Sequence, residues 1–276
     1  MRVGFIGVGS QGAPMARRIA ESGHDLTVWA RRPESLDQFD GLAVHRAATP
    51  SEVGARSAVV GICVVADSDV DEVVTGPDGV LEGMSAGGTL LIHSTIHPDT
   101  CRRIASVARA AGVDVLDAPV SGGGRAAAKG QLLVMVGGDS TVLDRCRPIL
   151  ETFGDPIRHV GPLGAGQTAK LVNNALFAAT LSMANEALGL GVALGLDEHE
   201  LMESLQHGSA NCAALGLAAS MRARLGEPGG GSAGVAGLLT KDLDLVSELA
   251  ERQGADVRAL RDAADLWLGF ALPDAE

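Results

Sequence analysis

Over its first 160 residues the chain alternates short apolar, β-rich runs with stretches of helical period. The apolar runs fall at 2–6, 25–29, 58–65, 89–93, 113–117, 132–136 and 157–160, with helix-length segments at 13–21, 98–111 and 140–153 between several of them. Strands that alternate with helices predict βαβ units: a parallel, doubly wound sheet with helices on both faces. After Gly166 the strand pattern stops. Residues 167–196 read as one long helix, apolar nearly all round, and a helix of that kind has to be covered on every side. Three or four further helices follow, divided by Gly208, a glycine-rich run at 226–234, and Gly254. The expected fold is therefore α/β: a doubly wound domain at 1–163 and an all-α domain at 164–276, with the long helix between them. The segment at 226–232 is flexible by composition, serving either as a lid or as a loose connection. No internal repeat is present.

Composition narrows the function classes. The chain has 276 residues, of which 46% are apolar, enough for a substantial core. Its formal net charge of −12 argues against nucleic acid and against an anionic membrane surface as partners. An anionic ligand then has to be held by local groups. Cys63, Cys101, Cys146 and Cys212 form no CxxC pair and no metal-ligand spacing, as expected of bystander thiols in a reducing compartment. The opening residues carry no signal-peptide pattern. The stretch nearest to a membrane span, 175–196, is interrupted by Asn185 and Glu186. A soluble, cytoplasmic protein is expected. The need to cover the apolar helix predicts a homodimer or homotetramer.

The first strand runs directly into Gly7-Val8-Gly9-Ser10-Gln11-Gly12 and then a helix. GxGxxG alone is weak, but between a strand and a helix at the start of a βα series it is the Rossmann-type dinucleotide fingerprint. Gly7 permits the turn, Gly9 lets the backbone approach a pyrophosphate, and Gly12 lets the helix pack on the strand. About 20 residues further on, NAD-specific folds place an acid for the ribose 2′-hydroxyl. Here the second strand ends in Ala30-Arg31-Arg32 with no acid. A guanidinium fork suits a 2′-phosphate, so NADP(H) is preferred over NAD(H), the alternative being arginines simply solvated in a turn.

Two later segments carry chemistry. Asp117-Ala118-Pro119-Val120-Ser121-Gly122-Gly123-Gly124 follows an apolar strand, where successive glycine N–H groups can form an anion nest and Ser121 adds a hydroxyl. The other is Gly161-Pro162-Leu163-Gly164-Ala165-Gly166-Gln167-Thr168-Ala169-Lys170-Leu171-Val172-Asn173-Asn174. If its helix starts near Gly166, Lys170 and Asn174 share one face. Only three of the 22 basic residues are lysine, Lys129, Lys170 and Lys241, and an amine, unlike a guanidinium, can give up its proton when partly desolvated. Burial and the positive helix end both favour the neutral amine, which suits general acid–base work on a carbonyl. A surface lysine and a plain glycine turn are the bland alternatives. His93 and His97 flank a strand end and a proline-initiated helix, which is not a metal-ligand face, and no metal is expected.

With these motifs in order, the chain resembles the β-hydroxyacid dehydrogenases, the group of 3-hydroxyisobutyrate dehydrogenase and tartronate semialdehyde reductase. The resemblance spans the whole chain and rests on the fingerprint at 7–15, the segments at 117–123 and 161–174, and Lys241-Asp242-Leu243. His93-Ser94-Thr95-Ile96-His97-Pro98 is similar to the family's loop beside the nicotinamide ribose. The resemblance implies Lys170 as catalytic acid/base, and Ser121, Gly122, Gly123, Asn174 and Lys241 as substrate-binding residues. It assigns Gly7, Val8, Gly9, Ser10, Gln11, Gly12, Arg31, Arg32, Val65, Thr95 and Lys241 to the cofactor, and sets Asp242 in the same helix start as Lys241. Gln11 stands where the family usually has Met, and Arg18 where it has Asn. The residues at 231–237 are small throughout, which points to an open pocket wall and a larger substrate.

The implied activity is interconversion of a small 3-hydroxy acid and its semialdehyde or keto form. One rival is an imine reductase of related fold, which usually carries Asp or Tyr where Lys170 stands. Another is a non-catalytic dinucleotide-binding homologue, which would be expected to lack Lys170 or the Ser121 nest. A 6-phosphogluconate dehydrogenase would need a much larger helical domain.

Overall fold

The computed structural model describes residues 1–222 and 232–271. The expectations for the loop at 226–232, and for most of the side chains at 231–237, lie outside the described residues. The chain divides into two compact units, Met1–Lys170 and Leu171–Glu276.

The first unit runs β1 (Arg2–Ile6), α1 (Gly12–Glu21), β2 (Asp25–Trp29), a 3-10 segment (Pro33–Phe39), β3 (Val44–Arg46), α2 (Pro50–Arg56), β4 (Val59–Ile62), α3 (Asp67–Thr75), α4 (Val80–Gly83) and β5 (Thr89–Ile92). It continues through α5 (Pro98–Ala110), β6 (Asp114–Asp117), β7 (Val120–Ser121), α6 (Gly123–Lys129), β8 (Leu132–Gly137), α7 (Ser140–Leu150) and β9 (Gly154–Gly161). The strands form one sheet in the order β3-β2-β1-β4-β5-β6-β8-β7, with β9 pairing β8. The chain turns from one side of β1 to the other between β3 and β4, which makes the β1/β4 junction the switch point where open α/β sheets bind ligands.

The expected doubly wound sheet is present, but it is not parallel throughout. β8 runs antiparallel to both β6 and β7. β7 and the short α6 fold the chain back on itself there, so no crossover helix restores the direction.

Period-2 alternation explains the two-sided core. Val3, Phe5, Leu26, Val28, Leu91 and Leu116 pack on one face with Met15, Ile19, Phe39 and Phe153. Ile6, Val60, Ile62, Leu90 and Ile92 pack on the other with Val70, Val74 and Ile104. Each such fully buried side chain is worth roughly 1.5–3 kcal/mol relative to exposure. Helix ends follow local chemistry. α5 starts at Pro98, with the His97 side chain accepting the Asp99 N–H at 3.0 Å, and Arg109 stands in its last turn.

The long helix is α8 (Ala165–Ala193), followed by α9 (Glu198–His207), α10 (Ala213–Arg222), α11 (Ser232–Gln253) and α12 (Arg258–Ala271). No strand occurs after Gly161 among the described residues. By length and composition α8 would pass for a membrane span, with mean hydropathy 1.3. One stripe of it, Ala175, Ala178, Leu181, Ala184 and Leu188, is buried in the helical core with Leu215, Leu239 and Leu243. The expectation of a helix covered all round does not hold within one chain. Val172 and Leu176 are 57% and 55% exposed, and Leu190 is 61% exposed.

Candidate active site

Four neighbouring parallel strands, β1, β4, β5 and β6, end side by side, and each delivers one predicted segment. The Cys63 N–H donates to Ile6 O at 2.8 Å, His93 N–H to Ile62 O at 2.8 Å, and Ala118 N–H to Ile92 O at 2.8 Å. The glycine loop, Val65, Thr95 and the Asp117–Gly123 segment thus sit along one carboxyl edge.

Beyond β1, Gly7 takes φ +91°, a left-handed conformation that favours glycine, and a β-carbon there would lie 2.2 Å from Cys63 O. A β-carbon on Gly12 would lie 2.0 Å from Gly7 O, whereas one on Gly9 would meet nothing within 4 Å. Gly9 therefore faces open space. α1 has no acid in its first turn and no side-chain cap, whereas α2, α7 and α9 are capped by Thr49, Asp139 and Asp197. The Ala13 N–H already donates to Gly9 O at 2.9 Å and Pro14 has no N–H, so an anion here would be met by the N–H groups of the glycine loop and of Gly12. Gln11 Nε2 is buried and has no hydrogen-bond partner among the described residues. An uncapped helix start, a glycine with room before it and an unsatisfied amide fit a dinucleotide's phosphates and polar groups. Beside them, Gly7, Val8, Gly9, Trp29, Arg31, Arg32, Ser35, Val65 and Asp69 line a cleft of about 400 Å³.

The second glycine cluster meets the first. Gly122 and Gly123 adopt φ +130° and +72° at the start of α6, just past the half-buried Ser121. A β-carbon on Gly124 would lie 2.7 Å from Ser10 O. The nest thus abuts the dinucleotide loop through a contact only glycine permits.

The start of α8 is fastened to the same edge. Asp117, fully buried at the end of β6, accepts the Gly164 N–H on Oδ1 and the Gln167 N–H on Oδ2, both at 2.7 Å. Burial raises the Asp117 pKa, while these backbone donors oppose the rise. The Gln167 side chain is itself buried: Nε2 donates to Ser94 O at 2.8 Å and Oε1 accepts the Ile96 N–H at 3.1 Å, on either side of Thr95. The Ser94 hydroxyl accepts the Val64 N–H at 2.8 Å. Lys170 follows, half-buried in the second turn of α8.

In the second unit, Asn174 Nδ2 donates to Asp242 Oδ2 at 2.5 Å, and Lys241 Nζ lies 3.0 Å from Asp242 Oδ1. The two predicted residues are brought together by a buried aspartate. Lys241 and Asp242 lie well inside α11, not at a helix start, because α11 begins at Ser232.

Several residues escaped the sequence reading. Asp117 stood in a quoted motif without a role, although an acid closing an apolar strand signals a buried acceptor. Gln167 and Ser94 act through partners far away in sequence. Arg18, where the family's Asn stands, donates from Nε to Thr152 O at 2.8 Å. His93 stacks on Phe5 with centroids 6.0 Å apart, and its Nδ1 donates to Ala118 O at 2.7 Å. Burial pushes its pKa down to about 4, so it is neutral. The four cysteines are free thiols, and burial pushes Cys146 up to about 11.

Residues 2–161 match the family described as the NAD binding domain of 6-phosphogluconate dehydrogenase, and residues 164–272 that described as NAD-binding of NADP-dependent 3-hydroxyisobutyrate dehydrogenase. The NAD-dependent L-serine dehydrogenase of Pseudomonas aeruginosa is 38% identical over 91% of this chain and 85% of its own length. The solved structure of Mycobacterium tuberculosis 3-hydroxyisobutyrate dehydrogenase with L-serine superposes with a TM-score of 0.82 at 32% identity, covering 98% of this chain and 94% of that one. A structure described as Psf3 in complex with NADP+ and 2-OPP gives a TM-score of 0.85 at 26% identity, covering 95% and 92%.

Proposed function

Because this chain belongs to the β-hydroxyacid dehydrogenase family, an oxidoreductase family acting on CH–OH groups with a nicotinamide dinucleotide, we propose that it interconverts a small 3-hydroxy acid and its semialdehyde or keto form, prefers NADP(H), and uses Lys170 as general acid/base. The observation that carries the reading is the double fastening of the Lys170 helix to the sheet edge through Asp117 and Gln167. It supports an amine held in register with a glycine nest that abuts the dinucleotide loop.

The bound nicotinamide supplies a hydride acceptor or donor. In the oxidative direction the neutral Lys170 amine takes the hydroxyl proton as the carbonyl forms, and in reduction the ammonium returns it to the carbonyl oxygen. The Ser121 hydroxyl and the Gly122–Gly123 backbone hold the carboxylate. The family resemblance assigns Asn174 and Lys241, which share Asp242, to the substrate, and Lys241 also to the cofactor. Arg31 and Arg32, with no acid at the end of β2, support NADP(H), and the NADP+-bound structural relative is consistent with this. The serine dehydrogenase named as NAD-dependent makes the preference a matter for measurement. L-serine and 3-hydroxyisobutyrate, the compounds in the relatives' names, both carry a carboxylate and a β-hydroxyl, the pair of groups this arrangement would grip. The enzyme works in the cytoplasm as a homodimer or homotetramer, with the exposed residues of α8 supporting self-association. Nucleic acid, membranes and metal play no part.

The test is a panel of short 3-hydroxy acids, semialdehydes and cyclic imines, followed by nicotinamide absorbance with NADPH and NADH in parallel. Turnover of 3-hydroxy acids or semialdehydes, faster per unit KM with the phosphorylated cofactor, is expected. Turnover confined to imines would overturn the substrate class.

A further inference from the structure

The arginine that the sequence offers to a 2′-phosphate is already engaged. Arg31 Nη2 donates to Asp69 Oδ1 and to Glu72 Oε2, both at 2.9 Å. A guanidinium Nη carries two N–H groups, so this nitrogen has none left for a ligand. Asp69 is itself held in place, because its second oxygen accepts the Ala66 N–H at 3.0 Å at the start of α3. Glu72 stands one turn further along the same face of α3. Arg31 is therefore paired with two carboxylates beside the cleft through one nitrogen, while its Nε and Nη1 still carry three N–H groups. Arg32 lines the same cleft with Ser35, is exposed, and pairs with no acid among the described residues.

We propose that Asp69 and Glu72 set this chain's cofactor preference by competing with the 2′-phosphate for Arg31, which leaves Arg32 as the cation that meets the phosphate first. The inference rests on the reading of this cleft as the adenosine end of the dinucleotide site. A 2′-phosphate carries between one and two negative charges near neutrality. To reach Arg31 it must share or displace two carboxylates of its own sign, whereas a 2′-hydroxyl brings no charge to that contest. The acid for the ribose is absent from β2, and a pair of acids on α3 moderates the arginines instead. The two acids lower discrimination between the phosphorylated and unphosphorylated cofactors without touching the nicotinamide end.

The test is calorimetric titration of the full chain with two probes that lack nicotinamide, adenosine 2′,5′-bisphosphate and 5′-AMP. Glu72→Gln is expected to tighten the bisphosphate roughly three- to fivefold, the scale of one exposed ion pair, and to leave 5′-AMP unchanged. The gain should shrink as salt is raised. Asp69→Asn, which keeps an acceptor for Ala66, should shift the ratio the same way, and Arg32→Ala should loosen only the bisphosphate. A Glu72→Gln chain that binds the bisphosphate like the wild type, or tightens both probes equally, overturns the proposal. The NADP(H) preference fails separately, if the wild type binds the bisphosphate no better than 5′-AMP and Arg32→Ala changes neither. A ratio that still rises in Glu72→Gln supports the competition even then. A wild-type chain that binds neither probe overturns both.

Discussion

The buried Asp117 carboxylate accepts the Gln167 backbone N–H at 2.7 Å, and the Gln167 side chain carries the same connection on to Ser94 O and the Ile96 N–H. One carboxylate and one amide thus join the ends of β5 and β6 to the first turn of α8. Gln167→Ala leaves a buried carbonyl and a buried N–H without their partner. At about 1–3 kcal/mol for each unsatisfied group, a loss of roughly 2–6 kcal/mol is expected, read as a lowered denaturant midpoint. Gln167→Glu keeps the acceptor for Ile96 but turns a carboxylate oxygen towards Ser94 O in a fully buried site beside Asp117, so it should be at least as destabilised as Gln167→Ala. A change under about 0.5 kcal/mol in Gln167→Ala would show that water replaces the amide.

His93 makes stability fall with acid. Its pKa is about 4 in the fold against an ordinary 6.5 in the unfolded chain, because burial disfavours the charged ring. The folded chain therefore binds the proton less readily. The contribution is fully present above the unfolded value and is lost as pH falls from 6.5 towards 4, by about 3 kcal/mol. His93→Asn keeps an N–H donor for Ala118 O and removes the titration. Urea midpoints at pH 7 and pH 4 should fall further in the wild type than in the variant. Parallel falls would contradict the assignment.

Lys170→Ala should lower kcat by roughly 10²- to 10⁴-fold, the range of general acid–base catalysis, while cofactor affinity stays nearly constant. Paired measurements of turnover and of NADPH fluorescence on binding check both halves. Unaltered turnover would remove the amine from the chemistry.

Arg31→Ala combined with Arg32→Ala should raise KM for NADPH far more than for NADH, because only the phosphorylated cofactor brings a charge to the arginines. Steady-state kinetics with both cofactors test this. An equal rise for both would make these arginines general wall residues of the cleft.

The local patterns in the sequence were sufficient for the elements and the loops that carry chemistry. β1 and β2 lie where the apolar runs place them, and α1, α2, α5 and α6 begin where proline or glycine sets the backbone. Gly7, Gly122 and Gly123 hold the left-handed conformations that their turns require. Periodicity and turn preference act over a few residues, so they can be read without the fold. β3 and β7 escaped because strands of three and two residues carry too little period.

Only the tertiary structure decided which distant groups meet. Asp117 finds Gln167, Arg31 finds Asp69 and Glu72, and Asn174 finds Asp242, each across tens of residues. A buried or half-buried polar group takes whichever partner the packed chain brings within hydrogen-bond distance, and that partner leaves no mark on the local sequence. The amino-acid order by itself determined the α/β architecture and the residues equipped for hydride-exchange chemistry. Packing decided how the start of α8 is held and which of the two neighbouring arginines pairs with acids.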